Sequence, residues 1–361
     1  MRARLRPICL VCGILLVFSL YLLFYETTVR RGQADSSRLP DSPPLASLQH
    51  LFAPGYQDQV AMAIPEQART GGESPNASDN CRRLWLGGNS HWFDGKFNAG
   101  LSPLWTGHNQ ELPADVSRWW RTLQGSRGAT NISSEIEAAL TVIGKEDPYW
   151  VRNVSNCLRC AVVGNSGNLR GSNYSQLIDS HDFVFRINRA PHKGYSQDVG
   201  SKETHRFMYP ESFQPLGPEV HFVLMDFKLL DIAWLTSALT NGSIEKTYTK
   251  VRRTIDVSRD KVMIYNPALM HHVHTEWLDK HGRYPSTGQL ALFFALQICD
   301  EVDVFGYGAN KLGNWDHYWS KDDGTHNSFF KTTGVHDSTF EQSAMEELQK
   351  AGKIRIYPGV R

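Results

Sequence analysis

One stretch constrains this chain's fold more than any other. It runs Cys160-Ala161-Val162-Val163-Gly164-Asn165-Ser166-Gly167-Asn168-Leu169 and resumes at Phe183-Val184-Phe185-Arg186-Ile187-Asn188. Small and β-branched residues open it, as in a strand buried on both faces. A polar turn follows at once. Its glycines allow close backbone approach, and Asn165, Ser166 and Asn168 supply short hydrogen-bonding side chains. A second strand, 183–187, also ends on an amide, Asn188. Strand ends tipped with polar groups in an α/β pattern are where a nucleotide would sit. The spacing is Gly164-x-x-Gly167, so neither the dinucleotide fingerprint nor the phosphate-loop motif is met. From these residues alone, an ordinary strand-to-helix turn stands beside the nucleotide reading.

The surrounding pattern alternates. Strands are expected at 160–164, 183–187, 220–225, 261–265, 302–306 and 354–357. Helices are expected at Asp231–Leu239 and Thr287–Cys299, with another starting near Pro113 that carries Trp119 and Trp120. Such alternation predicts an α/β fold, a mostly parallel sheet with helices on both faces. The aromatic crowd from Trp85 to Trp120 reads as packing over a sheet edge or as a wall for a sugar. With 38 basic and 37 acidic residues, the charge balance gives no reason to expect nucleic acid as a partner.

The N-terminus reads as an address. Residues 1–7 carry Arg2, Arg4 and Arg6. Ile8 to Tyr25 is an apolar run just long enough to span a bilayer. The basic flank predicts a short cytosolic tail, an 8–25 signal anchor and a luminal remainder. A cleaved signal peptide is the rival, and no small-x-small site directly follows the run. Residues 26–80 are rich in Pro, Gly, Ser and Gln and read as a flexible stem, leaving 81–361 as the folded domain. Sequons at Asn76, Asn131, Asn153 and Asn241 fit a luminal body. A fifth, Asn173, lies inside the nucleotide region and is set aside. Cys9 and Cys12 fall in the span. Cys81, Cys157, Cys160 and Cys299 remain, an even number in an oxidising compartment, with three possible pairings. Cys157-x-x-Cys160 lacks the second pair of a zinc site.

Further candidates lie downstream. Ser286 or Thr287 caps the helix that follows Tyr284-Pro285, and a helix start can hold a phosphate. Gly306-Tyr307-Gly308 is another glycine-rich strand end. Trp315-Asp316-His317-Tyr318-Trp319 sets an imidazole among aromatics. His336 stands five residues before Glu341, which could fix the turn between them. His271, His272 and His274 lack the spacing of a zinc pair and read as solvent-exposed. The chain has no Asp-x-Asp tripeptide, the usual metal ligand set for a nucleotide-sugar diphosphate.

Together these segments resemble the motifs of the eukaryotic sialyltransferases. Cys160 to Ser201 resembles the large sialylmotif and Arg283 to Gly308 the small one. His317-Tyr318-Trp319 and the His336–Glu341 pair resemble the two later motifs. His-Gly-Arg-Tyr-Pro-Ser-Thr-Gly and Phe-Met-Tyr-Pro-Glu-Ser resemble the β-galactoside α-2,3 branch acting on Gal-β-1,3-GalNAc. The resemblance implies a single Rossmann-like catalytic domain of the GT-A type in a type II Golgi membrane protein. It implies inverting transfer of sialic acid from CMP-sialic acid to the 3-hydroxyl of a terminal galactose, on an O-glycan or glycolipid, with no metal or other cofactor. Asn165, Ser166, Asn168, Asn188, Ser286, Thr287, Gly288 and Gly308 would bind the donor. Tyr209, Tyr284 and Trp315 would face the acceptor, with a further polar contact from the stretch around His108. His317 would stabilise the departing phosphate and His336 would be the base. The resemblance also pairs Cys160 with Cys299, and Cys81 with Cys157. The chain departs from the family pattern at Asp316, where a second histidine is expected. The residues taken without the resemblance leave two rivals: a nucleotide-dependent oxidoreductase and a sugar-binding module without catalysis.

Overall fold

The structure, a computed structural model, describes residues 81, 90–124, 131–149, 157–309, 315–320 and 334–360. The expected cytosolic tail, anchor and stem, and the sequons Asn76 and Asn153, lie outside the described residues. Among the described residues, no helix is long and apolar enough to cross a membrane.

In chain order the longer elements are α1 (Ala114–Thr122), α2 (Ile132–Ile143), β1 (Arg159–Val163), β2 (Phe183–Ile187), β3 (His205–Met208) and β4 (His221–Leu224). Next come α3 (Leu229–Ala238), β5 (Val262–Ile264), α4 (Thr287–Ile298), β6 (Glu301–Phe305), α5 (Ser338–Lys350) and β7 (Arg355–Tyr357). The strands form one sheet in the order β5-β4-β3-β2-β1-β6-β7. Every pairing is parallel. This is the α/β architecture the alternation predicts.

Both faces of the sheet are covered, so its strands are mostly apolar, with Arg186 of β2 and Asp303 of β6 buried among them and held by hydrogen bonds. Cys160 and Val162 of β1 enter the larger core with Phe185, Phe207 and the α4 residues Leu290 and Phe293. Ala161 and Val163 point the other way, into a smaller core with Val184, Leu169 and Phe305. Period-two alternation thus divides one strand between two cores. α4 lies across β1, β2, β3 and β6. It is buried along its length, including Phe294 and Leu296.

One strand escaped the sequence reading. β3 is His205-Arg206-Phe207-Met208, and its first two residues are polar yet buried. The sheet accepts them because each is satisfied. Thr204 Oγ1 lies 2.8 Å from His205 Nδ1, and Arg206 Nη1 donates to the carbonyls of Asn188 (2.9 Å) and Ala190 (2.8 Å). Other ends shift by a residue or two. α3, for instance, starts at Leu229, where Asp231 accepts from the Phe227 and Lys228 amides.

Both disulfides are present, Cys81–Cys157 and Cys160–Cys299. The second ties β1 to the C-cap of α4 across 139 residues, a closure worth about 5 kcal/mol in the chain-entropy model. Among the described residues, Cys81, Cys157 and Asp300 are grouped closely enough to share a cation, but both thiols are oxidised.

Candidate active site

The strand order reverses at β1. The chain steps outward from β1 to β5, then returns to place β6 on the opposite side of β1. A crevice opens where strands diverge in this way, at their carboxyl ends. A cavity of about 540 Å³ lies there, lined by segments that follow β1, β2, β3 and β6 and by the start of α4.

The segment after β1 is a turn pressed against the segment after β6. Gly164 N donates to Phe305 O (2.7 Å) and Ser166 N to Gly306 O (2.9 Å). A Cβ on Gly164 would stand 2.4 Å from Gly306 O and 2.7 Å from the Tyr307 ring, so only glycine fits. Ser166 lines the cavity, but its hydroxyl is committed. It donates to Gly308 O (2.8 Å) and accepts from Asn168 N (3.2 Å). Asn165 differs: its buried Oδ1 has no hydrogen-bond partner among the described residues, and Asn165 lines the cavity. Asn188 follows β2 in a left-handed conformation, φ 53°. Its Oδ1 accepts from Ser212 Oγ at 2.9 Å, so the amide offers its NH₂ side to the cavity it lines.

The start of α4 supplies the opposite wall. Ser286 Oγ caps the helix by accepting from Gln289 N (3.1 Å), and Thr287 and Gly288 line the cavity. Ser286 is itself held by Glu341, which accepts from its amide (2.7 Å) and its hydroxyl (2.6 Å). Burial pushes the Glu341 carboxyl up to about 7, against the pull of those two bonds. Glu341 therefore clamps the helix start rather than His336. The five-residue spacing does not make a pair, because α5 begins between the two and turns Glu341 inward.

His336 Nδ1 lies 2.8 Å from the Tyr284 carbonyl, which can only accept. Nδ1 therefore carries the proton and the lone pair sits on Nε2. Burial lowers the His336 pKa below its usual value, partly offset by that carbonyl, so the ring is neutral near pH 7. The Tyr284 ring stands edge-on to His336, packs on Phe227 at 4.9 Å, and its hydroxyl accepts from Gln124 Nε2 at 2.9 Å. Tyr209 and Trp315 line the same cavity. His317 is exposed, stacks on Trp319 at 4.4 Å and bridges the backbone of Ser166. Asp316 packs against Gly167, where any Cβ would meet Oδ2 at 2.5 Å.

The sequence candidates thus converge, with exceptions. Asn168 is not in the cavity lining. It is buried behind the turn, where its Nδ2 donates to Ala309 O at 3.0 Å. His108 is exposed beside Glu146 and also outside the lining. The histidine cluster is only half-exposed at His271 and His272, and His274 is buried: Trp119 packs on His271 and His274, and His272 Nε2 lies 2.8 Å from Lys96 O. A helix from Pro267 to His272 runs on into a π-turn, Val273–Trp277, that rolls His274 inward. Asn131 caps α2 through its side chain, and Asn241 is exposed. Asn173 is exposed and outside the cavity, so its place in the nucleotide region is no reason to set it aside. Gln289, Gln342 and Met345 line the cavity without having been foreseen. Gln289 looked like one more residue of an apolar helix. Its place on the first turn of α4 was the available signal.

The cavity's residues span the region that matches a sequence model of known proteins. The model of glycosyltransferase family 29 (sialyltransferase) matches residues 104–353. A rat protein named CMP-N-acetylneuraminate-beta-galactosamide-alpha-2,3-sialyltransferase 2 is 44% identical over 99% of this chain and 100% of its own length. A chicken protein named as sialyltransferase 1 of the same series is 48% identical over 75% of this chain and 79% of its own. The crystal structure of a mammalian sialyltransferase superposes with a TM-score of 0.73 at 44% identity, covering 79% of this chain and all of that one. A related structure in complex with Gal-beta-1-3GalNAc-ortho-nitrophenol gives 0.72. The chain belongs to glycosyltransferase family 29, the sialyltransferases.

Proposed function

We propose that the chain is a β-galactoside α-2,3-sialyltransferase that moves sialic acid from CMP-sialic acid to the 3-hydroxyl of galactose in Gal-β-1,3-GalNAc, with inversion. The observation that carries this reading is the likeness, at 44% identity, to a sialyltransferase solved with that disaccharide. The cavity chemistry agrees with it.

On the donor side, the Asn165 acceptor and the Asn188 NH₂ face the cavity as a matched set for a nucleotide's donors and acceptors. A second orphan, Gln289 Nε2, is buried in the same lining. Buried polar atoms without protein partners are costly unless a ligand takes them. The amides at the start of α4 and the His317 ring suit the phosphate. On the acceptor side, Tyr209, Tyr284 and Trp315 offer faces for a sugar.

The galactose 3-hydroxyl oxygen attacks the anomeric carbon of sialic acid. The bond from that carbon to the phosphate oxygen breaks, and its electron pair leaves with CMP. The hydroxyl proton passes to His336 Nε2, the nitrogen left basic by the Tyr284 carbonyl. Neutral His336 is required, and burial favours that form.

For location, the basic-flanked apolar run and the sequons support a type II protein with a luminal Golgi domain. Incubating the full-length chain with CMP-sialic acid and Gal-β-1,3-GalNAc tests the activity. An α-2,3-sialylated product is expected. Disaccharide binding without turnover would reduce the protein to a sugar-binding module.

A further inference from the structure

The turn that carries Asn165 and Ser166 is braced from three directions. The segment after β6 takes Ser166 Oγ at Gly308 O and Asn168 Nδ2 at Ala309 O. The segment at 316–318 receives Gly167 N at Asp316 O (2.7 Å) and gives Tyr318 N to Asn165 O (3.0 Å). The third brace is the segment after β7. It leaves the edge strand β7 at Tyr357, and Val360 N donates to Asn168 O at 3.0 Å. Gly359 sits at φ 84°, and a Cβ there would lie 2.1 Å from Asn168 O and 2.6 Å from its carbonyl carbon. Those are backbone atoms of the turn and cannot swing aside as a flexible side-chain end can.

The geometry points to Gly359 as a positioning residue for donor binding, with residues 359–360 acting as a strap across the back of the nucleotide turn. The inference rests on the reading of the cavity as the CMP-sialic acid site. Asn168 is the relay. Its carbonyl takes the strap, its amide donates to Ser166 Oγ, and its side chain holds Ala309. A push on Asn168 O therefore moves Ser166 and the Gly308 segment together, and both line the cavity. Tyr209 and Tyr284, on segments that follow β3 and precede α4, are not in that path. Donor affinity should respond while acceptor affinity does not. This gives Asn168, a candidate ligand by sequence, a different task.

The test titrates CMP into the full-length chain by calorimetry, alongside acceptor KM and melting temperature. Gly359→Ala should weaken CMP binding about tenfold, in line with the penalty for sub-ångström to ångström misplacement. Removal of residues 359–361 deletes the strap without a clash and should weaken CMP binding about fivefold, the worth of one net hydrogen bond. Gly352→Ala is the control. That glycine also has positive φ, at 70°, but its Cβ position is open, so CMP affinity should hold even if melting temperature falls. Unchanged CMP affinity in the truncated chain and in a folded Gly359→Ala chain overturns the strap. An acceptor KM that rises as much as the CMP dissociation constant also overturns it. Failure of the unaltered chain to bind CMP would instead remove the donor-site reading itself.

Discussion

Two imidazoles, one at each end of the sheet, meet the same physics with different consequences. His336 borders the cavity at the carboxyl ends of the strands. His205 opens β3 at the amino end and is fully buried. Desolvation is the leading cause in both, and both are held below the ordinary histidine pKa. Tyr284 O fixes the proton of His336 on Nδ1. Around His205, Thr204 Oγ1 lies 2.8 Å from Nδ1 and the Tyr149 hydroxyl meets Nε2, so both ring nitrogens are taken inside the protein. The difference is where the ring stands. His336 borders an open cavity, where a neutral imidazole can take a proton. His205 has both ring nitrogens taken inside the core, where neutrality only keeps the fold. Desolvation favours the neutral ring in both, and the surroundings decide whether that neutrality does chemistry.

The comparison breaks most visibly at His336. His336→Ala should lower turnover by about 10²–10⁴-fold, the usual contribution of a positioned base, while CMP affinity stays within a few-fold. Near-normal turnover with an unchanged melting temperature would take His336 out of the mechanism. In the unaltered enzyme the acidic limb of the pH–rate profile should lie below pH 6.5, because the base must be neutral and burial lowers its pKa.

His317 gives the next largest effect, and it should have a different signature. The proposed phosphate contact would act on binding and on departure, so His317→Ala should weaken CMP binding about tenfold or more and lower turnover with it. Loss of turnover with CMP affinity intact would place it with His336 instead.

His205 should register in stability, not rate. Its folded pKa lies well below its unfolded value near 6.5. Below pH 6.5 the unfolded chain takes up a proton that the folded chain refuses, so stability falls as pH falls, by about 1.4 kcal/mol per pH unit until the folded pKa is reached. The neighbouring groups set the size of that interval. His221 stacks at 4.8 Å, with Lys261 nearby adding positive charge, while Asp260 and Glu219 partly oppose it at His221. Urea denaturation at pH 7 and pH 5.5 measures the slope. His205→Phe should be less stable at pH 7, having left the Tyr149 hydroxyl only a weak sulfur acceptor, Met263 Sδ at 3.7 Å, yet less sensitive to acid. An unchanged slope would show that His205 is not the group responsible.

The smallest expected effect is that of chelation. Donor binding is assigned to amides, helix-start N–H groups and an imidazole, so EDTA should change activity by less than about tenfold. A larger loss, restored by Mn²⁺ or Mg²⁺, would reveal a metal role of the kind that polarises a phosphoryl oxygen.

Much of the fold was written locally. β2 matches its expected bounds because Phe183 to Ile187 is a β-rich run ended by turn chemistry, and α4 differs only in its last residue. β3 was hidden because His205 and Arg206 look like surface residues until Tyr149, Thr204 and the Asn188 carbonyl are brought to them. The site divides the same way. Asn165, Ser286 and His336 could be named from motifs, since each motif is a short contiguous signal. Which atoms of these residues face the cavity could not. The Ser166 hydroxyl, the Asn168 side-chain NH₂ and the Glu341 carboxylate are taken by Gly308, Ala309 and Ser286, partners 55 to 142 residues away. By itself the sequence determined the alternation of strands and helices and the residue types gathered at the strand ends, because periodicity and turn preference act over a few neighbours. Only the tertiary structure decided which polar atoms are spent on the protein and which remain for a ligand, because hydrogen-bond satisfaction is settled by contacts between distant segments.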